Sequence, residues 1–332
     1  MSLEKLWQKG CTFLGTETAL LAGAMTWVSN HTLVAAISNA GGFGVIACGS
    51  MNTELLAVEI EKTQQLTHKP FGVNLITMHP DLDDLIDVCG RYKIGHVVLA
   101  GGLPQAASIQ RLKDHGCKVI GFAPALVIAR KLIKMGIDGL IIEGSEAGGH
   151  IGPVSTSVLA QEILPQIADI PVFVAGGIGR GEAIVSYLQM GAAGCQLGTR
   201  FVCAFESPAH PTFKKAFIRA QARDAMVSIQ LDPRFPVIPV RALANPASQQ
   251  FMTVQAEVIQ DFEAGILDLK EAQLKIEHYW AGALRKAVIE GDIENGSLMA
   301  GQSVGMITKE QSVQEIIDEL TQQAITFIEH VL

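Results

Sequence analysis

The sequence predicts an α/β protein, a TIM (β/α)₈ barrel with a smaller, mainly helical inserted domain. Short apolar runs recur along roughly the first 200 residues, each followed by a polar-punctuated stretch of helical character. The runs are apolar throughout rather than alternating, which is typical of parallel strands buried on both faces. There are eight of them, the number of strand-helix units in such a barrel. An open doubly wound sheet gives the same alternation and is the competing fold class.

The predicted strands follow one another at the spacing of one strand-helix repeat. They are ALLAG (19–23), FGVIAC (43–48), FGVNL (71–75), HVVLA (96–100), KVIGF (118–122), DGLII (138–142), VFVAG (172–176) and GCQLG (194–198). The predicted helices between them are 53–67, 81–91, 104–115, 124–135, 156–168 and 180–190.

The pattern changes after residue 205. From Ser207 to about Gly296 the sequence predicts helices without further buried strands, including 211–223 and 268–291, separated by the proline-bearing stretch 232–240. Segment 309–332 has apolar residues at helical spacing and is a candidate for the eighth outer helix. The predicted domains are therefore a barrel over residues 1–206 plus 300–332 and a helical substrate or lid domain over residues 207–299.

Composition excludes several classes of protein. With 332 residues, 48% hydrophobic and 17% charged, the chain is not disordered. The 33 acidic against 25 basic residues argue against a nucleic-acid binder. No apolar run reaches the ~20 residues of a membrane-spanning helix, and the N-terminus lacks the pattern of a secretory signal. The six cysteines show no metal-ligand spacing and are interpreted as buried thiols, so we expect a cytoplasmic protein without a metal site.

The loops after the seventh and eighth strands are rich in glycine. In a barrel of this kind these two loops commonly form a phosphate site, because glycine lets backbone N–H groups approach an anion closely. Gly176, Gly177, Gly198 and Thr199 are therefore candidate phosphate-binding residues. Tight-turn geometry alone would also explain these glycines.

The loop after the sixth strand, EGSEAGGHIGPVST (143–156), is longer and more polar than a connection requires. It carries His150, and histidine suits proton transfer near neutral pH. Glu143, at the strand end, either bonds a ligand hydroxyl or holds the loop, whereas Glu146 is interpreted as structural or solvated. In the third strand Asn74 interrupts an apolar run, so its amide must bond either a ligand or another loop. Met25, after the first strand, contacts a flat ligand or packs in the core.

At this point the residues resemble a family. EGSEAGGHIG, VFVAGGIGRGEA and QLGTRFVCAFES, in this order, resemble the superfamily of FMN-dependent nitronate monooxygenases (2-nitropropane dioxygenases) and type II enoyl-acyl-carrier-protein reductases. The resemblance extends from AGAMTWVS near the start, through KPFGVN, to GSLMAGQSVG (296–305). One departure is visible, because the family usually has Gln-Gly-Gly-Met where this chain has Ala-Gly-Ala-Met at 22–25.

The resemblance implies one FMN at the mouth of a TIM barrel and assigns His150 as the catalytic histidine. Ring contacts are implied for Gly23, Ala24, Met25 and Asn74, and phosphate contacts for the four residues already named. The rest of the implied cofactor site is Glu143, Gly148, Gly149, Ala175, Leu197, Ser297 and Met299.

Two activities are compatible with that site. The ending KAVIEGDIENGSLMAGQSVGMITKEQS is closer to the enoyl reductases, which implies hydride transfer from NADH or NADPH through flavin N5 to an enoyl thioester. The alternative is a nitronate monooxygenase that oxidises alkyl nitronates with oxygen, and a second alternative is a flavin-free phosphate-binding barrel enzyme. A non-enzymatic binding protein leaves His150 without a role.

A basic stripe bears on the partner. Lys215, Arg219 and Arg223 are four residues apart, so on one helix they would share a face. We predict that this face docks an acidic acyl-carrier protein; a solvated helix surface is the alternative. The exposed helical segment and high apolar content are also compatible with a homodimer.

Overall fold

A computed structural model describes residues 2–235 and 239–331, most of them in alternating strands and helices. The strands are β1 Leu20–Ala22, β2 Gly44–Ala47, β3 Phe71–Ile76, β4 His96–Ala100, β5 Lys118–Phe122, β6 Gly139–Glu143, β7 Gly149–His150, β8 Val172–Ala175, β9 Gly194–Leu197, β10 Ala225–Val227 and β11 Val240–Leu243. The helices are α1 Leu3–Leu14, α2 His31–Asn39, α3 Thr53–Leu66, α4 Leu82–Arg91, α5 Ala106–Asp114, α6 Leu126–Lys134, α7 Thr156–Ile163, α8 Gly181–Gln189, α9 Thr199–Val202, α10 Pro211–Arg219, α11 Pro246–Glu263, α12 Leu269–Arg285 and α13 Val313–Val331.

Eight parallel strands form a ring in the order β1-β9-β8-β6-β5-β4-β3-β2. Two hydrogen bonds join its ends: Phe43 N donates to Leu20 O over 2.8 Å, and Ala22 N donates to Phe43 O over 2.9 Å. Each of the eight predicted apolar runs overlaps one of these strands, and β3 and β6 extend one residue beyond their runs. The TIM barrel is therefore confirmed, and the open doubly wound sheet is wrong.

Side chains alternate between the inside of the ring and the surrounding helices, as they must in a closed barrel. One buried cluster fills the inside with residues such as Val98, Ile141 and Phe173. A larger cluster lies between the strands and the outer helices. A fully buried Phe or Ile of this kind contributes about 1.5–3 kcal/mol, so the two layers together stabilise the ring.

His96 fills the amino-terminal end of the barrel. Its Nε2 lies 2.9 Å from the carbonyl oxygen of Phe13, and its ring contacts the rings of Phe13 and Phe43 edge-on at 5.2 and 5.0 Å. Lys118 Nζ donates to the same carbonyl over 2.8 Å. Burial, reinforced by the nearby charge of Lys118, lowers the pKa of His96 to about 4.

We expect this histidine to make the protein less stable in mild acid. The unfolded chain binds a proton at His96 near pH 6.5 and the folded chain near pH 4, so the stability present above pH 6.5 is lost as the pH falls toward 4. Protonation of this group should lower the free energy of unfolding by about 3 kcal/mol. Urea unfolding at several pH values should show a shallower pH dependence in His96→Gln. An unchanged dependence in that variant would contradict this role.

The inserted segment corrects the prediction of helices alone over 207–296. Two short strands, β10 and β11, lie within it, and β11 pairs antiparallel with both β10 and β7. The strands are too short, and β10 too exposed, to produce an apolar run in the sequence. A small separate cluster that includes Phe235, Phe251 and Ile276 joins β11 to α11 and α12. Part of the predicted stretch 232–240, residues 236–238, lies outside the described residues.

Two predicted helices are shorter than expected. α10 ends at Arg219 because Ala220 is extended, so Arg223 lies in a separate 3₁₀ turn and not on the predicted stripe. α12 ends at Arg285 and continues as a π-helical turn to Glu290. The domain boundaries at 206/207 and 299/300 stay a prediction, since β7 of the barrel loop and the strands of the insertion share one sheet.

The last helix packs on the outside of the barrel. α13 lies against α8, where Gln323 Oε1 accepts a 2.9 Å hydrogen bond from the backbone N–H of Gly181. The expected eighth outer helix is thereby confirmed.

Five of the six cysteines are buried, but Cys11 is only half-buried. None of the described helices combines the length and the apolar character needed to cross a membrane.

Candidate active site at the mouth of the barrel

A row of three residues crosses the carboxyl-terminal end of the barrel. Glu143 on β6 is in register with Ala175 on β8, which is in register with Gln196 on β9. Ala175 belongs to the inner cluster, so its two neighbours in the row also point into the barrel. On the opposite side Asn74 is in register with the inward-facing Val98. The mouth therefore has a floor of small and polar side chains.

The polar members of this floor differ in their partners. Asn74 Nδ2 donates to the carbonyl oxygen of Val98 over 3.1 Å, so the amide is held by the neighbouring strand. The side chains of Glu143 and Gln196 form no hydrogen bond with any residue that the structure describes, although Gln196 is buried. Burial raises the pKa of Glu143 to about 8. A carboxyl group and an amide that lack protein partners are suited to bond the polar edge of a ligand ring.

We expect Glu143 to reduce the stability of the ligand-free protein as the pH rises. The folded state keeps the carboxyl protonated until about pH 8, whereas the unfolded chain ionises near pH 4.5, so stability is lost across this window. Glu143→Gln should remove this dependence and raise the free energy of unfolding at pH 8 by about 2 kcal/mol or more. Chemical denaturation of the ligand-free protein at pH 5 and pH 8 measures the effect; parallel losses in parent and variant would contradict it.

The two glycines after β8 have backbone conformations that favour glycine. Their φ angles are +97° at Gly176 and +71° at Gly177. A Cβ on Gly176 would lie 2.9 Å from Thr156 Oγ1, and a Cβ on Gly177 would lie 2.9 Å from the Cβ of Glu146. The turn is therefore pressed against the loop after β6, with no room for a side chain.

Backbone N–H groups at this edge are available to a ligand. Among the described residues, no hydrogen-bond acceptor is found for the amides of Gly176, Gly177, Gly198 and Thr199. The last two begin the short helix α9, whose first N–H groups have no intrahelical partner. Amides of two adjacent loops that have no acceptor among the described residues are chemically suited to a phosphate group, and the phosphate role of these four residues stays a prediction.

The loop after β1 lies against the loop after β9. A Cβ built on Gly23 would be 3.5 Å from the Cα of Gly198, and one built on Gly198 would be 3.6 Å from Met25 Sδ. Ser29 fixes this loop, because its hydroxyl donates to Gly23 O and accepts from Met25 N. The backbone of Gly23 and Ala24 is thus placed beside the candidate phosphate loop. Met25 contacts the loop after β9 and also packs, partly buried, against the larger apolar cluster, so the core packing considered for it is present.

Glu146 has the structural role expected of it. Its Oε2 accepts hydrogen bonds from the backbone N–H and the hydroxyl of Thr156, over 2.8 and 3.0 Å. The Thr156 hydroxyl also lies 3.0 Å from the carbonyl oxygen of Gly176. The carboxylate therefore fixes the start of α7 and, through Thr156, the glycine turn after β8.

Residues 297–301 close the site from the other side. Thr199 Oγ1 accepts a 2.9 Å bond from the N–H of Gly301, and a Cβ on Gly148 would lie 2.5 Å from the same nitrogen. Met299 Sδ would be 3.6 Å from a Cβ on Gly149. Ser297 is buried, and its hydroxyl has no partner among the described residues. The structure thus brings together the predicted residues of the β6 loop, the β9 loop and this segment.

His150 lies at the rim of the mouth. It is the second residue of β7, its side chain is exposed, and its backbone is in register with Val240 of the insertion. Beside it the buried Arg241 is in register with Gly149 and donates to Ser145 O over 2.8 Å and to Ala225 O. The histidine is therefore carried on a strand that the insertion holds in place.

The structure refines some predicted positions and adds others. Leu197 packs its side chain among the outer helices, so only its carbonyl, which accepts from Gly23 N, reaches the site region. Gln196 was missed, although a glutamine within an apolar run is the same signal that identified Asn74. Arg241 was missed because a helix was expected there. Cys203 is buried in the core, as expected of a buried thiol.

Comparison with known proteins agrees with this geometry. The family model of nitronate monooxygenase matches residues 9–93 and 82–323. The structure of FabK from Thermotoga maritima is similar, with 36% identity, a TM-score of 0.86 and 96% of each chain covered.

Two curated relatives are similar over most of their length. One is the (3aS,4S,5R,7aS)-5-hydroxy-7a-methyl-1-oxo-octahydro-1H-indene-4-carboxyl-CoA dehydrogenase of Rhodococcus jostii, 30% identical with 95% of each chain covered. The other is a probable nitronate monooxygenase of Staphylococcus aureus, 28% identical over 96% of this chain and 99% of the relative. The chain therefore belongs to the nitronate monooxygenase family of flavin-dependent oxidoreductases.

Proposed function

We propose that this protein is an FMN-dependent, NAD(P)H-dependent enoyl-acyl-carrier-protein reductase of type II. The observation that carries the choice of reaction is the likeness to FabK, a type II enoyl reductase, at 36% identity over nearly the whole chain. The carboxyl-CoA dehydrogenase relative supports it, because its name also describes a thioester substrate.

The cofactor proposal follows from the groups that lack protein partners. The amides of Gly176, Gly177, Gly198 and Thr199 would hold the phosphate of FMN, since four N–H donors can satisfy its oxygens. Glu143 and Gln196 would bond the polar edge of the ring, with Asn74 opposite. Gly23, Ala24 and Ala175 present little side-chain bulk, so a flat ring can approach the backbone closely.

Bound FMN would supply the hydride chemistry, from NADH or NADPH through its N5 to the β-carbon of the enoyl thioester. The chain's own groups position the reactants. His150, on the rim, would donate a hydrogen bond to the thioester oxygen as negative charge develops, or would deliver the proton to the α-carbon. Met299 and Ser297, from the closing segment, would line the substrate side.

Docking of an acyl-carrier protein is proposed on α10. Lys215 and Arg219 are exposed, one helical turn apart, and form no ion pair with the described residues. Reversal of both charges to Glu should raise the KM for carrier-bound substrate several-fold and spare a coenzyme A thioester, because only the acidic carrier is steered by the patch. Steady-state kinetics with both substrates measures this. Arg223→Glu, outside α10, serves as the control, and equal effects on both substrates would remove the docking site.

The reaction is tested by anaerobic mixing of the FMN-loaded protein with NADH or NADPH. Rapid bleaching of the flavin absorbance, followed by reoxidation with an enoyl thioester, is the expected result. Absence of bound flavin in the purified protein would instead favour the phosphate-binding barrel enzyme without flavin.

The second candidate is nitronate monooxygenase activity. It is favoured by the family model and by the Staphylococcus aureus relative. Slow bleaching by nicotinamides combined with oxygen-dependent turnover of an alkyl nitronate would select it over the reductase. His150 would then hold the nitronate anion, so both reactions use the same rim position.

A further inference from the structure

A groove of about 540 Å³ lies on the outer surface of the barrel, along α6 and beside α7. It begins at the rim of the mouth, because Ala125 follows the end of β5 by three residues. From there it follows α6, whose nine residues span about 12 Å. The side chains that define it are Val127, Arg130, Lys131, Lys134 and Glu162.

The groove is positively charged in an otherwise acidic protein. Arg130, Lys131 and Lys134 are exposed on α6, and Lys134 lies one helical turn beyond the adjacent Arg130 and Lys131, four and three residues away. Arg130 bonds Gln166 over 3.0 Å, but none of the three forms an ion pair with the described residues. Glu162 is the single acid among the described lining residues, whereas the whole chain carries a formal charge of −8. A local field of this sign attracts anions.

Charge and apolar surface occur together in this groove. Val127 is 71% exposed and lies one turn before the basic residues. An aromatic base can cover such a side chain while phosphates meet the cations. We propose that the groove binds the adenosine diphosphate part of a nucleotide co-substrate, with the reactive end of that molecule reaching over the rim into the mouth.

This chemistry is shared by the nicotinamide donor and by a coenzyme A thioester, so the inference rests on the proposed function. The probes are NADP⁺ and coenzyme A, titrated separately into the full-length protein by calorimetry. The double variant Lys131→Glu/Lys134→Glu should raise the Kd of the affected ligand about tenfold, as expected for reversing two exposed charges. The parent's affinity should also fall as the salt concentration rises.

A matched control is Lys5→Glu/Lys62→Glu, which makes the same change in net charge at two exposed lysines on α1 and α3. It should leave both affinities within twofold. If the α6 variant binds only NADP⁺ more weakly, the groove is the nicotinamide-nucleotide site. If it binds only coenzyme A more weakly, the groove is the thioester site. Weakening of both, with mutual competition, identifies one shared site.

Two results would overturn the proposal. One is binding of both nucleotides by the α6 variant within twofold of the parent. The other is no measurable binding of either nucleotide by the parent. Because binding is measured without turnover, failure of the groove is distinguishable from failure of the reductase, which depends on flavin bleaching and reoxidation.

Discussion

Replacement of His150 by alanine is expected to lower kcat by about 10²- to 10⁴-fold while bound flavin is retained, the range for loss of one positioned proton donor. The side chain lies on the rim, exposed, on a strand held by β11. Because the side chain is exposed, its removal takes away little buried surface, so the thermal midpoint should change little. Turnover, flavin content and melting temperature, measured on one preparation, separate a chemical loss from a structural one.

His68→Ala is the control for this experiment. His68 is also exposed, but it lies before β3, at the opposite end of the strands from the mouth. Its removal should leave kcat unchanged. Full activity of the His150 variant with its physiological substrate would show that the imidazole has no part in the reaction.

Gly148→Ala is expected to damage both stability and activity. The added Cβ would lie 2.5 Å from Gly301 N and 2.6 Å from the carbonyl carbon of Ala300, and backbone atoms cannot rotate away. Overpacking of this kind lowers the free energy of unfolding by about 1–3 kcal/mol. Displacement of the loop also moves His150, two residues away, and a misplacement of about 1 Å can cost about 10²-fold in rate. Urea unfolding and kcat, measured on the same variant, test both effects.

The same loop offers a matched control. A Cβ on Gly152 would meet no atom within 4 Å, and its φ lies outside the left-handed region. Gly152→Ala should therefore have nearly parent-like stability and turnover. Similar losses in both variants would show that the loop depends on flexible glycines and not on close contact with residues 300–301.

The barrel was predictable because each strand is buried on both faces. Such a strand is mostly apolar along its length, and this pattern is visible in the sequence of all eight strands despite single polar residues such as Asn74 and Gln196. The loops were predictable for a related reason, since glycines and a histidine directly after a buried run stand out. The four amides that have no acceptor among the described residues belong to loops selected in this way.

The insertion was harder to predict because its strands are short and partly exposed. β10 has one buried residue and two exposed residues, Met226 and Val227, so it produces no periodic signal. Arg241 is buried, but an arginine in a predicted helical segment indicates a surface. Gln196 shows a different limit: its inward direction follows from its register with Ala175, which a sequence does not contain.

The bond from Gly301 to the hydroxyl of Thr199 joins residues that are 102 positions apart. During synthesis on the ribosome, all eight barrel strands have therefore emerged well before the segment that completes the mouth. A growing chain at that stage can pair its strands but lacks one wall of the cleft. We therefore expect the proposed FMN to bind late in the biogenesis of this enzyme.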